Sequence, residues 1–517
     1  MAHVEHSPAY ERLGERRLGL LDVVAQSVGF LGPVFSAAFL IPLVVGVNAS
    51  SKGGGVAAPV SVIIAAVGIF ALGWLVSRYA REVHAAGGLY DYVSRGLGER
   101  AGVASGILYY AGVLLLSIGL IVLIGGYVHD TMLSEFHKAV MPQWAWSLIV
   151  VVLLVGILFT GVRISTRTQL ALALISFLAV SAFFISVIVQ VGSHNSLAPF
   201  RPSSSAQGWS GIFFGVLYGV LLFVGFETAA NLAEEAREPR RTIPIAVLAS
   251  AGIAAVFFVV AAYAQIAGFG FSVKAITGAA AAPLFALGAP KTAGGYGGTW
   301  IDRGLELVVL LDMLAVAMGT GVAGTRGVFA LARDRRLPSP LARVSPSRGT
   351  PVAAIALLGA LAVANILVTQ LWPSLLALPG TAHYFAIFTW DSTFGGFALV
   401  VVYLLMSVGA VLSFARRKEG AGMKVATLLA AALGFLITAG AIFGSIYKVT
   451  KPTIYAPIAA GAVLAVGVVV AFATKGRTPA SLHLEDLAVN PELARLESLS
   501  VLDDHGGIVA DRHSLPE

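Results

Sequence analysis

Residues 225–244 read GFETAANLAEEAREPRRTIP, from Gly225 to Pro244. The stretch opens inside an apolar run that begins near Trp209 and is long enough to enter a bilayer, and it ends in a mixture of charges and prolines. Gly225 followed at once by Phe226 and Glu227 lets the backbone leave the helical ladder. A carboxylate at membrane depth is costly unless it is buried in protein or faces a watery cavity. A broken helix carrying a binding site is the reading this supports. The alternative at this point is a plain kink, with Glu227 bonded to a neighbouring helix.

The rest of the chain agrees with a bilayer. Hydrophobic residues make up 57% of the 517 and charged ones 12%, and mean hydropathy is +0.85, which is a membrane composition. The 58 glycines fit, since small residues let membrane helices approach closely. The stretch before Gly19 is polar and charged, unlike a cleavable leader, so the first apolar run is expected to be a true span. There is no cysteine, which excludes disulfides, thiolate metal sites and thiol chemistry. The net charge of +7 sits at the ends of apolar runs and forms no continuous patch, so nucleic acid is not expected as a partner. With both termini cytoplasmic and about twelve spans, Lys and Arg concentrate on the cytoplasmic side.

Outward from residue 225, the organisation expected is a cytoplasmic tail (1–17), a first group of five spans (18–192), a second group of five (193–414), two further spans (415–474) and a cytoplasmic tail (475–517). The first span, roughly Leu18 to Val47, contains QSVGFLGPVFS, where Gly29, Gly32 and Pro33 fall together and predict unwinding. Tyr109 and Tyr110 near the start of span three either line a cavity or pack. GVRISTRTQ reads as a tight turn between spans four and five, and HYFAIFTWDS as an extended or broken start to span ten. The interruptions therefore fall in spans one and six. Because five is odd, units starting there have opposite orientation, the arrangement of an inverted-repeat transporter. Half-helix ends at the two breaks offer partial charges of both signs: amides opening the outer half of span one for a carboxylate, carbonyls for an ammonium group.

Four stretches carry a family resemblance. GFETAANLAEEAREPRRTIPIA resembles the sixth-span signature of the amino acid-polyamine-organocation (APC) permeases. AAGGLYDYVSRGLG is similar to their paired-glycine segment, GTRGVFALARDRRLP to their eighth-span exit, and LGLLDVVAQSVG to the start of their first span. The resemblance implies an all-α polytopic membrane protein with a LeuT-like 5+5 inverted repeat plus two accessory helices. It also implies proton-driven, sodium-driven or exchange transport of an amino acid or amine.

Carried over by position, the substrate would contact Ser27, Val28, Gly29, Gly32 and Pro33 in span one and Phe223, Val224, Gly225 and Phe226 in span six, with Tyr110 added from span three. Glu227 becomes a structural or coupling carboxylate. Pro33, Val34 and Phe35 stand where the family commonly has a run of small residues. Some members carry a span-five lysine in place of sodium, and the matching position here is Ser176. Thr320 and Thr325 are candidate sodium ligands or else bond back to their own helix. Asp312 and Asp391 are candidates for coupling, Asp391 being expected at the external interface, and Arg326 is expected to anchor a helix end.

No cofactor is expected, the coupling ion being H+ or Na+. The partners expected are a small-molecule substrate and the lipid bilayer, in a monomer or homodimer in the cell membrane. A solute sensor of the same fold, a polyamine or organic-cation exchanger, a membrane-embedded enzyme and a channel are the competing readings. Scattered histidines and the lack of a filter-like repeat weaken the last two.

Overall fold

The computed structural model describes residues 18–47, 52–83, 86–279, 283–378, 381–415 and 419–474, so both expected tails lie outside the described residues. What the chain builds is decided by glycine and proline punctuation within long apolar runs. The first run is cut into α1 (Leu20–Leu31), α2 (Pro33–Phe39) and α3 (Ile41–Val45). Each of the two later pieces starts with proline in its first turn, where a missing N–H costs nothing. Then come α4 (Ala58–Ala80), the short α5 (Leu89–Leu97), α6 (Glu99–Phe136), α7 (Gln143–Thr160) and α8 (Val162–Val191).

The second half begins with α9 (Gly208–Leu221), which stops at the second break. It continues with α10 (Pro239–Gly268), the small surface helices α11 (Val273–Gly278) and α12 (Pro283–Gly288), α13 (Thr299–Arg333), α14 (Val352–Leu371) and α15 (His383–Ala415). The last pair is α16 (Ala421–Ile446) and α17 (Tyr455–Ala473). Among the described residues, eleven helical stretches are long and apolar enough to cross a membrane. The twelfth apolar segment, α9, is shorter because its span is interrupted. Among the described residues the only β pairing is two isolated bridges, Leu18 with Ala236 and Pro290 with Gly297.

The packing has the symmetry expected of two repeats. The second span of each half touches its counterpart (α4 with α10), as do the third (α6 with α13) and the fourth (α7 with α14). Helices α6 and α13 are buried along most of their length. By contrast α7, α8, α14, α16 and α17 turn large apolar side chains outward, among them Val152, Leu178, Leu371, Leu436 and Val469. An apolar exterior of this extent suits lipid, and every helix satisfies its own backbone.

Two expectations about elements change. GVRISTRTQ is not a turn beyond Gly161: α8 starts at Val162 and runs through it. HYFAIFTWDS is neither extended nor broken but forms the first turns of a continuous α15.

Candidate functional site

The first break is narrower than the sequence suggests. Residues Ser27 to Leu31 stay helical, and the chain turns at Gly32 alone, whose φ of 52° is left-handed, before Pro33 restarts the helix. In the second break α9 ends at Leu221, residues 222–227 form turns, and a 3-10 segment, Thr228–Leu232, follows. Gly225 has φ 108°, and a Cβ there would overlap the Phe30 ring of α1.

A single hydroxyl joins the two breaks: Ser27 Oγ donates to the Phe226 carbonyl (2.8 Å) and accepts from the Ala229 amide (3.0 Å). Glu227, 1% exposed, receives the phenol hydrogens of Tyr109 (2.7 Å) on Oε1 and Tyr403 (2.6 Å) on Oε2, so it braces α6 and α15 against the break. Tyr110 donates to the Gly87 carbonyl (2.6 Å) and to Asn231 (3.2 Å), tying the paired-glycine segment to the 3-10 turn.

Beside both breaks lies a cavity of about 360 Å³, within the range of small-molecule sites. Phe30 and Leu31 from the end of α1, Leu221 from the end of α9 and Val224 from the turns that follow it line the cavity together. The rest of the wall mixes aromatic rings (Phe35, Phe39, Phe385, Phe388 and Phe397 among them), leucine and valine side chains and Ser/Thr hydroxyls, and no charged side chain lines it.

Five of the hydroxyls in its wall are oriented by bonds to nearby backbone carbonyls. Ser36 donates to Leu31 O, Thr320 to Val316 O and Ala317 O, Thr389 to Phe385 O, and Ser392 and Thr393 to Thr389 O. Each therefore offers lone pairs to a guest, and these five make the wall a surface of acceptors. Of the residues the sequence assigned to substrate, Val224 is in the wall. Ser27, Val28, Gly29, Gly32, Pro33, Phe223, Gly225 and Phe226 form the packed breaks behind it, and Tyr110 lies apart.

The family model described as amino acid permease matches residues 28–474. The chain belongs to the amino acid permease family. A branched-chain amino acid permease of Bacillus subtilis is 23% identical to it over 370 residues, 66% of this chain and 73% of the relative. An uncharacterised transporter of Mycobacterium tuberculosis is 30% identical over 360 residues, 68% and 73% of the two chains. Among solved structures, the Eremococcus coleocola manganese transporter bound to an aromatic bis-isothiourea compound superposes with a TM-score of 0.53 at 13% identity, over 90% of this chain and 97% of that one. At that identity the likeness concerns the fold, which is the LeuT-like 5+5 arrangement with two added helices. The permease is thus a multi-pass membrane transporter of amino acids or related solutes, and its family is not enzymatic.

Several residues of the permease sit differently from their sequence assignment. Asp312 is fully buried, and its Oδ2 accepts from the Phe35 amide (2.7 Å) with the Val34 amide alongside. These are the amides expected to take a substrate carboxylate, and a resident carboxylate already holds them. Thr320 and Thr325 take the second of the two readings the sequence offered and bond back to their own helix, Thr325 to Gly321 O (2.7 Å). Five residues apart, they point about 140° from each other, so α13 does not bring them to one ion. Ser176 also bonds back, to Leu172 O (2.9 Å).

The buried residue of α8 that bonds to α1 is Gln169, whose Nε2 approaches the Gln26 carbonyl (3.4 Å), beside the partly exposed pair of Arg167 with Asp22 (3.6 Å). Gly29 and Gly319 leave room for its amide, since a Cβ on either would overlap it. Asp391 is not at an interface: it is 1% exposed.

Arg326 does more than anchor a helix end. It forms a bidentate pair with Glu235 (2.7 and 3.1 Å), both side chains 3% exposed. One helical turn and more along, Arg333 pairs with Glu234 (3.0 and 2.6 Å) and Tyr90 donates to Asp334 (2.9 Å). Backbone bonds from Leu18 N to Glu235 O (3.0 Å) and from Arg237 N to Leu18 O (3.1 Å) close the same end. The acidic pair and the basic residues of the α13 exit were visible in sequence, but which partner each takes was not. Together they tie the last turns of α13 to the end of the broken sixth segment and to Leu18, just before α1.

Proposed function

We propose that the permease is a secondary active transporter of the cell membrane, carrying an amino acid with an apolar side chain, or the related amine, by alternating access. In this reading both termini are cytoplasmic, the ion-paired end of α13 is the closed cytoplasmic side, and the cavity opens outward. The observation that carries it is the cavity set against two broken helices. The carbonyl end of α1 and the oriented hydroxyls suit an ammonium group, and the phenylalanine wall suits an aliphatic or aromatic side chain. A branched-chain amino acid permease among the relatives is consistent with such a guest.

A polyamine carrier is not favoured, because two cationic ends need counter-charges and no charged residue lines the cavity. Uptake of labelled leucine, valine, phenylalanine, their amines and putrescine into proteoliposomes tests this. Entry of an apolar amino acid or amine, with putrescine excluded, is the expected result. Binding of a solute that never enters would identify a sensor instead.

A further inference from the structure

Of the buried carboxylates, three lie away from the ion-paired end of α13, and their surroundings differ. Glu227 has a phenol on each oxygen, and Asp312 has backbone amides. Asp391, in α15, has one long contact: Asn365 Nδ2 of α14 reaches Oδ2 at 3.4 Å. Gly119 of α6 presses on its other side, where an added Cβ would stand 2.8 Å from the Asp391 Cβ. Asn365 Oδ1 is buried and receives no hydrogen bond. A full negative charge held by one long contact at membrane depth is costly. A carboxylic acid, however, complements an amide, because its O–H gives the vacant amide oxygen the donor it lacks while its other oxygen accepts the amide N–H.

Among the described residues, no cation is paired with Asp391. Helices α7 and α14 contain no ionisable residue, and neither do α2 and α9 apart from Tyr218. On α6 the nearest to Gly119 are Tyr110 and Tyr127. On α15 itself they are His383, Tyr384 and Tyr403, about 10 Å or more away along the axis. Helix α16 carries only Lys424, near its start, with Tyr447 and Lys448 stacked on each other past its end. Arg78, Tyr79 and Tyr92 approach α15 near Phe414, at its opposite end.

The same turns of α15 face the cavity through Phe388, Thr389 and Ser392. Resting on the transport reading above, we propose that Asp391 is the proton-binding site that couples transport. It is protonated while paired with Asn365, and it loses its proton to water only when α15 shifts and exposes the carboxyl to the cavity. The O–H bond broken leaves a carboxylate on Asp391, and the proton leaves as hydronium on the side then open.

The test compares the full chain with Asp391→Asn, which keeps the side-chain shape and cannot titrate. In proteoliposomes, an inward gradient of about one pH unit supports roughly tenfold accumulation for one proton per solute. Wild type is expected to accumulate labelled leucine or its amine, whichever it carries. The variant is expected to fall to the equilibrium level while still exchanging solute at equal pH, which also reports that it is folded.

Infrared spectra of the purified proteins give a readout independent of transport, namely a protonated-carboxyl C=O band at neutral pH that the variant lacks. Gradient-driven accumulation by the variant, or an unchanged band, overturns the proposal. Exchange by wild type that ignores the gradient overturns it too, leaving the transport reading intact. A wild type that moves no solute in either mode sinks both.

Discussion

At Gly225 a single carbon atom decides whether the two breaks can meet. The φ of 108° is one that a side chain makes strained, and the space a Cβ needs is filled by Phe30. The combined cost, about 1–3 kcal/mol from the backbone and a similar amount from overpacking, falls on the break and not on the membrane anchoring of the helices. Gly225→Leu is therefore expected to remain in the membrane at wild-type level and to lose uptake to background. Normal uptake by that variant would remove the breaks from the site.

Side-chain partners at this scale were the part least legible in sequence. Gly32, Pro33 and Gly225 announce themselves because glycine and proline alter the backbone wherever they stand. Asp312 capping the Phe35 amide, Gln169 wedged between Gly29 and Gly319, and Asp391 paired with Asn365 each depend on which helices face one another. One chain read alone does not contain that information.

Among elements, the ends of α13 and of the broken sixth segment are tied by buried ion pairs, which the proposed outward-open reading makes a latch. Arg326 and Glu235 are both buried, so removing one partner leaves a stranded charge at a cost of about 3–5 kcal/mol, whereas an apolar pair of similar volume is often neutral. Arg326→Ala is expected to lower the thermal midpoint, and Arg326→Met with Glu235→Leu to recover much of it while leaving the end easier to open. Since the chain has no cysteine, an Ala233→Cys reporter at that end can be probed with maleimide. Faster labelling in the apolar pair than in the parent is the expected outcome, and equal labelling would show that the latch does not hold the end shut.

The helices themselves were largely readable, since the long apolar runs that predict spans are where the long helices form. The misses have one cause. Polar residues in 161–169 and 383–392 looked like surface, yet several of them sit on helix faces turned toward protein: Ser165, Thr166, Gln169 and Asp391 are buried.

For the whole molecule, five-span symmetry follows from two punctuated runs placed five spans apart, and the family match spanning 28–474 agrees with that architecture. Counterpart helices touch across the bundle, so each repeat lends the other its buried face. Ser27 carries this furthest. It belongs to the half synthesised first, yet its oxygen finishes a turn between Phe226 and Ala229 in the half synthesised later. The early half is thus a template on which the late half sets its irregular segment. Produced without residues 1–192, the remainder should show residues 222–229 open to protease, and supplying the missing half in trans should protect them. A second half equally resistant on its own would mean that each repeat carries its own blueprint.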